Sequence, residues 1–303
     1  MARLGLAAAL TVLAVALASS GSAATSTPAA TPFPVTITAG NGKVTVSKRP
    51  TRIVSISPTS TESLFAIGAG RQVLAVDDQS DYPKNAPKTT LSGFTPNVEA
   101  IAAYRPDLVV VAYDTKDLVA ALEKLGIPVI FHKPATTIPG AYQQIRQLGA
   151  VTGHGTQAAA LVSRMKSQIA RVVAKREATA TGATVYHELD PSFFSANSNT
   201  FVGRVYSLFG LKNLADAAPG GSDYPQLSPE FIVSSNPDLV VLADSVCCGQ
   251  NADTVASRPG WAGIKAVRNR AILRIDDSIA SRWGPRLVNF VRAVGTALGR
   301  LET

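Results

Sequence analysis

The side chains that most often carry catalysis or bind metals are few in this chain of 303 residues. Its three histidines, His132, His154 and His187, do not recur at the intervals of metal ligands. The G-x-S-x-G, phosphate-loop and H-E-x-x-H patterns are absent. We therefore interpret the histidines as structural, and we expect neither an enzyme nor a resident cofactor or metal. A zinc or manganese site that uses His132 or His187 is the alternative.

The two cysteines, Cys247 and Cys248, are adjacent in the sequence. In an oxidising compartment a cysteine pair indicates a disulfide. Neighbouring α-carbons are only about 3.8 Å apart, however, which is below the usual range of about 4.4–6.8 Å for bridged cysteines. A vicinal disulfide, two free thiols, and a contact with a metal or ligand therefore all stay open.

Two acidic residues, Glu99 and Glu230, open two copies of one long internal repeat. Residues 99–112 read E-A-I-A-A-Y-R-P-D-L-V-V-V-A, and residues 230–243 read E-F-I-V-S-S-N-P-D-L-V-V-L-A. In each copy a capping residue, Asn97 or Ser228, precedes a short helix with the glutamate in its first turn. The unbroken apolar run after Pro-Asp is typical of a buried parallel strand. The repeat predicts two similar α/β lobes, and helix stabilisation is the simplest role of each glutamate.

A helix without Gly or Pro is predicted between the lobes, over Thr156 to Glu177. Its apolar residues recur at helical spacing and place one face against a core. A single long helix is a rigid connection, and the cleft between two lobes is the default ligand site.

The N-terminal residues indicate export. A basic residue, Arg3, precedes a short apolar run and an Ala-rich end, which is typical of a signal peptide. An uncleaved anchor helix is the alternative. No cysteine follows the run, so a lipid anchor at that position is not expected. The predicted divisions are a signal peptide (1–24), a tether and entry strand (25–50), an N-terminal lobe (51–155), the connecting helix (156–177) and a C-terminal lobe (178–303).

The composition fits a folded protein that binds no nucleic acid. Apolar residues make up 46% of the chain and charged residues 17%, which is typical of a globular fold with a sizeable core. The net charge of +8 is not gathered into a nucleic-acid-binding motif. It suits an anionic ligand or membrane surface instead.

Several motifs together resemble one known family. They are S-I-S-P-T-S-T-E-S-L-F-A-I-G (55–68), Q-S-D-Y-P (79–83), the two E-x-I-x4-P-D-L-V-V segments and S-R-W-G-P-R (281–286). In combination they resemble the class III periplasmic binding proteins, which serve ABC importers for cobalamin, ferric siderophores and haem. The resemblance covers residues 50–301 and implies two Rossmann-like lobes, one connecting helix, and little hinge motion.

The resemblance also assigns roles to particular residues. It implies that Glu99 and Glu230 dock onto arginines of a permease dimer that works with an ATPase. The cobalamin-binding member of the family suggests a second set, the ligand residues Gln79, Phe94, Tyr113, Phe193, Tyr224 and Arg282. Gln79 stands where that protein has a tyrosine, and either Phe193 or Phe194 matches another aromatic. Asp276 and Asp277 lie one or two residues from the expected aspartate.

The expected protein is thus an exported monomer at the periplasm or the outer face of the membrane. We expect it to capture a metal chelate, first a corrinoid and second a ferric siderophore, and to deliver it to the permease. A direct zinc or manganese binder is one alternative. An enzyme or sensor that reuses the scaffold is the other.

Overall fold

The computed structural model describes residues 1, 32–176 and 180–301. The expected signal peptide beyond Met1, the tether through residue 31, Glu177 at the end of the connecting helix, and residues 178–179 and 302–303 of the C-terminal lobe lie outside these ranges. Within the described ranges, no helix is long and apolar enough to cross a membrane.

The chain enters the fold through an antiparallel hairpin, where the sequence predicts a single entry strand. Its strands are β1 (Val35–Ala39) and β2 (Gly42–Val46). The strands meet at a tight turn in which Gly42 adopts a positive φ of 91°, a conformation that glycine adopts without strain. The hairpin adds Ile37, Val44 and Val46 to the core.

The N-terminal lobe is a four-stranded parallel sheet in the order β4-β3-β5-β6. Its elements are β3 (Ile53–Ile56), α1 (Pro58–Ala66), β4 (Val73–Val76), α2 (Val98–Ala102), β5 (Leu108–Val111), α3 (Leu118–Lys124), β6 (Val129–Phe131) and α4 (Ile138–Thr152). All four residues of β3 and of β5 are buried, as their continuous apolar sequences predict.

The C-terminal lobe repeats this topology. Its elements are β7 (Thr184–Glu188), α6 (Phe201–Ser207), β8 (Lys212–Asn213), α7 (Pro229–Ser235), β9 (Leu239–Leu242), α8 (Ala252–Ala256), α9 (Lys265–Arg268), β10 (Ile272–Arg274), α10 (Asp277–Ser281) and α11 (Leu287–Leu298). The strand order is β10-β9-β7-β8, again all parallel. Both sheets place their second strand beside the first and their third strand on its other side. The prediction of two similar α/β lobes is therefore confirmed.

The aspartate of each repeat copy ties two neighbouring strands together. Asp107 accepts hydrogen bonds from the backbone N–H groups of Thr51 and Arg52, both at 2.8 Å, just before β3. Asp238 accepts one from the N–H of Thr184, also at 2.8 Å, at the start of β7. A carboxylate can accept several N–H groups at once, so each aspartate fixes where a central strand begins.

A single helix, α5 (Gly155–Ala174), joins the lobes. Its buried face, Ala158, Val162, Met165 and Ile169, packs between α4 of the first lobe and α11 of the second. These residues belong to one apolar core that extends from the β1–β2 hairpin to α11. At about 1.5 Å per residue the helix is roughly 30 Å long, so its two ends can carry two separate lobes.

Gly203 in α6 gives a direct test of the packing. A Cβ atom on Gly203 would lie 2.0 Å from the carbonyl oxygen of Asn197. Since backbone must move to admit it, we expect Gly203→Ala to lower the free energy of unfolding by about 3 kcal/mol or more. Gly263→Ala is the control, because no atom lies within 4 Å of the added Cβ. Urea unfolding of both variants measures the difference, and equal stability of the two would contradict this packing.

Candidate functional site

The loops at the carboxyl ends of the strands carry the exposed aromatic side chains. Among the described residues five aromatic side chains are exposed, and each follows the carboxyl end of a strand. They are Tyr82 and Phe94 after β4, Tyr113 after β5, Phe194 after β7, and Tyr224 after β8. In open parallel sheets, ligands bind in the crevice outside these strand ends. The exposed rings therefore mark the candidate ligand site.

A cavity of about 250 Å³ lies among these loops. Gln79, Phe94 and Tyr113 line it from the N-terminal lobe, and Arg282 and Trp283 line it from the C-terminal lobe. Phe94 is 73% exposed and Tyr113 is 59% exposed, so their rings are available to a ligand. The structure thus brings four of the six predicted ligand residues together at one cavity between the lobes.

Tyr224, a fifth predicted ligand residue, lies close to Tyr113. Burial raises the pKa of the Tyr224 phenol, and the nearby phenol of Tyr113 raises it further. Tyr224 is still 52% exposed. One tyrosine from each lobe therefore borders the cleft.

Phe193, the sixth predicted ligand residue, packs against the C-terminal lobe. Its ring stacks on Trp261 with the centroids 6.0 Å apart, and the Arg258 guanidinium lies 5.3 Å from its centroid. Its φ of 67° turns the chain at this point, and the next residue, Phe194, is 38% exposed. Of the two adjacent phenylalanines, Phe194 is the one that offers its ring to solvent.

Arg282 lines the cavity, but its guanidinium is already bound by protein acceptors. It donates to Oε1 of Glu62 at 3.0 Å, to Oδ1 of Asp81 at 2.7 Å and to the carbonyl oxygen of Gln79 at 2.9 Å. The resemblance to the family implies that Arg282 offers a polar contact to the ligand. In the structure its charge is neutralised by carboxylates of the other lobe.

Asp77 lines the cavity but belongs to none of the sequence motifs. Burial raises the pKa of its carboxyl to about 6, although the carboxylate accepts hydrogen bonds from the N–H of Gln79 and the hydroxyl of Ser80. It is the only acidic side chain among the described residues that line the cavity. Its position directly after β4 is the sequence signal that could have identified it.

Comparisons with known proteins agree with this architecture. A family model described as "Periplasmic binding protein" matches residues 53–279, more than half of the chain. The chain belongs to this family.

Two relatives and one solved structure illustrate the similarity of this periplasmic binding protein to others. The chain is 31% identical over 277 residues to the uncharacterized ABC transporter substrate-binding lipoprotein YvrC of Bacillus subtilis, covering 88% of this chain and 86% of YvrC. It is 33% identical over 216 residues to the cobalamin-binding protein of Halobacterium salinarum, covering 69% of this chain and 58% of that protein. The apo haem-binding protein RhuT of Roseiflexus sp. RS-1 aligns with a TM-score of 0.72 at 25% identity, covering 84% of this chain and all of RhuT, 100%.

Glu99 and Glu230 occupy equivalent positions in the two lobes of this binding protein. Each lies in the first turn of a short helix, α2 or α7, whose capping side chain, Asn97 or Ser228, accepts a backbone N–H. Both glutamates are exposed, and neither forms a salt bridge within the described ranges. One accessible carboxylate per lobe is therefore available to a partner.

A buried ionic cluster follows β7 and β9 in the C-terminal lobe. Arg258 binds both carboxylate oxygens of Glu188 at 2.6 Å and lies 4.6 Å from the centroid of Trp261. Tyr186 donates to Glu188 at 3.0 Å. Burial, together with the charge of Glu188, raises the pKa of the nearby Asp244 carboxyl to about 7.

The two cysteines lie just beyond Asp244, in the exposed loop that follows β9. Their sulfur atoms are joined in a vicinal disulfide, with the α-carbons 3.8 Å apart. The amide of Cys248 donates to the carbonyl oxygen of Asp244 at 3.1 Å, which closes the loop into a turn. The disulfide therefore lies at the carboxyl edge of the second sheet.

The histidines form separate hydrogen bonds. His132 contacts Gln147 at 2.9 Å, and His187 contacts the Tyr206 hydroxyl at 2.5 Å. Burial lowers the pKa of His132 to about 4 and that of His187 to about 3, so both are neutral at pH 7. Across the described ranges, no three His, Cys, Asp or Glu side chains are grouped so as to hold a metal ion.

Proposed function

We propose that this chain is the capture component of an ABC importer and that its ligand is a corrinoid. It would bind the corrinoid in the interlobe cleft, outside the cytoplasmic membrane and as a monomer, and present it to a permease dimer powered by an ATPase. Family membership and the two-lobed fold support the transport role. The similarity to YvrC and to the cobalamin-binding protein of Halobacterium salinarum points in the same direction.

The charge of the cavity is the observation that favours a corrinoid. Arg282 is the only basic side chain among the described residues that line the cavity, and Glu62 and Asp81 already neutralise it. Haem and many ferric siderophores carry carboxylates or other anionic groups, whose burial without a cation is unfavourable. The periphery of a corrinoid carries neutral amides, which can bond to the Gln79 side chain and to backbone groups without an added cation.

The exposed aromatic rings suit the same ligand. Phe94, Tyr113 and Tyr224 offer flat apolar faces beside the cavity. The cavity itself is too small for a whole corrinoid, since ligand pockets for much smaller molecules reach roughly 300–1,000 Å³. We therefore infer that one edge of the macrocycle enters the cavity and that the exposed rings contact the remainder.

A binding measurement tests the proposal. Titration calorimetry and thermal unfolding are followed with cyanocobalamin, haem, a ferric hydroxamate siderophore and zinc as separate probes. Cyanocobalamin at 100 times its dissociation constant is expected to stabilise the protein by about 2.7 kcal/mol. A response to haem, to the siderophore or to zinc with none to cyanocobalamin would overturn the corrinoid assignment.

Variants of the two tyrosines connect binding to this cleft. An aromatic contact contributes about 0.5–1.5 kcal/mol beyond the area that it buries, so Tyr113→Ala and Tyr224→Ala should each weaken cyanocobalamin binding about tenfold. Leu125→Ala serves as the control, because Leu125 is also large and exposed but follows α3, away from the cavity residues. If Tyr113→Ala and Tyr224→Ala bind cyanocobalamin as tightly as Leu125→Ala and the parent protein do, the ligand binds elsewhere.

A further inference from the structure

One buried carboxylate of the N-terminal lobe is shared by two guanidinium groups of the C-terminal lobe. Glu62 of α1 is 2% exposed. Its Oε1 accepts from Nη1 of Arg282 at 3.0 Å and from Nη2 of Arg286 at 2.6 Å, while its Oε2 accepts from Nε of Arg286 at 3.0 Å. Charge-assisted bonds of this two-pronged form are among the strongest in proteins. These bonds connect residues more than 200 positions apart in the sequence.

Arg282 extends the cluster to the wall of the ligand cavity. Its Nη1 also donates to Asp81, whose side chain is 63% exposed, and its Nη2 donates to the carbonyl oxygen of Gln79. The same arginine thus binds a buried acid on one side and the cavity-lining segment 79–81 on the other. Gln79 is thus held from two sides, by Arg282 at its carbonyl oxygen and by Asp77 at its N–H group.

Two neighbours of these arginines strengthen the connection. The Arg286 guanidinium lies 4.6 Å from the ring centroid of Tyr82, which directly follows the segment 79–81. The indole N–H of Trp283 donates to Oε1 of Gln144 in α4 at 2.8 Å. Residues 282–286 therefore hold the N-terminal lobe at three places: α1, the segment 79–82, and α4.

Separating the lobes would break these bonds together. Glu62 would lose both guanidinium partners, and α1 offers it only uncharged hydroxyl side chains. Leaving a buried charge without its partner is strongly unfavourable. The two positive charges of the arginines and the two negative charges of Glu62 and Asp81 balance, so the cluster needs no ligand to complete it. The spacing of the lobes is consequently set before a ligand arrives.

We propose that Glu62, Arg282 and Arg286 form an interlobe clasp that fixes the spacing of the lobes and positions the segment 79–82 in the ligand cavity. Arg282 is then a positioning residue whose side chain serves the protein rather than the ligand. The part that concerns the cavity rests on the proposed function, because it assumes that the solute binds there. The part that concerns lobe spacing does not depend on the identity of the ligand.

Distance measurements on the ligand-free protein test the lobe spacing. Spin labels are placed on Lys124→Cys in α3 and Ser234→Cys in α7, two exposed positions on opposite lobes. The parent protein should give one narrow distance distribution, unchanged by cyanocobalamin. Glu62→Gln should broaden it, and Arg268→Gln, an exposed arginine at the end of α9, should leave it narrow. An unchanged narrow distribution in folded Glu62→Gln would overturn the clasp.

Binding measurements on the same variants test the positioning role. Glu62 does not line the cavity, yet Glu62→Gln should weaken cyanocobalamin binding about tenfold or more, as should Arg282→Gln. If only Arg282→Gln weakens binding, Arg282 contacts the ligand directly and the positioning role is wrong. Should Glu62→Gln fail to fold, Glu62→Asp replaces it, because it keeps the charge but shortens the side chain. The distance distribution of Glu62→Asp is then expected to be broader than that of the parent protein. A distribution as narrow as that of the parent would count against the clasp.

The two proposals fail in different ways. If the parent protein binds none of the probes, the proposed ligand is wrong, while the distance distributions still test the clasp. If the parent protein binds cyanocobalamin and the distributions of parent and Glu62→Gln coincide, the clasp is wrong and the proposed function stands.

Discussion

Reversing the charge of the two exposed glutamates, with Glu99→Lys and Glu230→Lys in one protein, is expected to abolish uptake while ligand capture remains intact. Each carboxylate lies at the start of a short helix, one in each lobe, and has no salt-bridge partner in the described part of the chain. A two-fold symmetric permease would present the same basic group to both. Close charge pairs across interfaces couple by about 1.5 kcal/mol or more, so a double reversal should weaken docking by more than about a hundredfold.

Asp253→Lys is the matched control for this double variant. Asp253 is also an exposed acid in the first turn of a short helix, α8, but it lies outside the internal repeat. All three substitutions lose the same favourable interaction with a helix N-terminus, about 0.3–1 kcal/mol each. Any difference in uptake therefore reports docking and excludes helix stability as its cause.

Two measurements separate docking from capture. Titration calorimetry with cyanocobalamin should give nearly equal affinities for the parent, the double variant and Asp253→Lys. Uptake of labelled cyanocobalamin by cells should fall to background only for the double variant. Normal uptake by the double variant would show that the two glutamates do not dock.

The stabilising contribution of the protonated Asp244 carboxyl is expected to fall as the pH rises from about 4 to about 7. The pKa of this carboxyl is raised to about 7 by burial and by the charge of Glu188, whereas an unfolded chain releases the proton near 3.8. Between these values Asp244 holds a proton in the folded protein that it has released in the unfolded chain. The contribution of Asp244 to the free energy of unfolding therefore decreases with pH in this range and is lost above pH 7, whereas the buried His132 and His187, whose pKa values are lowered, contribute in the opposite direction.

Asp244→Asn isolates this contribution because the amide does not titrate. Above pH 7 the variant should be more stable than the parent by as much as about 4 kcal/mol, and the advantage should shrink steadily as the pH falls toward 4. Asp77, with its pKa raised to about 6, and the buried histidines titrate equally in both proteins, so their effects cancel in the comparison. Urea unfolding at several pH values measures the difference, and a difference independent of pH would contradict the burial of the Asp244 charge.

The sequence predicts most of this fold because its strongest signals are continuous apolar runs and a repeat, both visible directly along the chain. Continuous apolar runs such as Leu239–Leu242 predict buried parallel strands, and the constant offset of the two repeat copies predicts two lobes of one topology. The short elements are missed for the opposite reason. A two-residue strand such as Lys212–Asn213 has no periodicity of its own and depends on pairing with Thr184 and Val185.

The candidate site is predicted less completely because its chemistry depends on distant pairs. The resemblance to the family supplies Gln79, Phe94 and Tyr113, and all three line the cavity in the structure. The partnership of Glu62 with Arg282 and Arg286 joins distant parts of the sequence and leaves no local pattern. A signal did exist, since Glu62 is the only charged residue between Ile53 and Gly70.

The choice between Phe193 and Phe194 shows a second limit of the sequence. Which of two adjacent aromatic rings faces outward depends on the turn at Phe193, where φ is 67°. Composition and spacing do not reveal such a turn. The distribution of the two rings between the core and the surface is therefore a result of the structure alone.

The shared apolar core along α5 has a consequence for how the chain folds. Met165 and Ile169 belong to the same core as side chains from both lobes, so unfolding one lobe would expose the apolar face of the helix that the other lobe needs. The shared core couples the two lobes, so we expect them to unfold together, although the N-terminal lobe also has a separate apolar cluster that includes Val54, Ile101 and Leu122. A solute that binds at the cleft is then expected to protect both lobes against unfolding and against proteolysis.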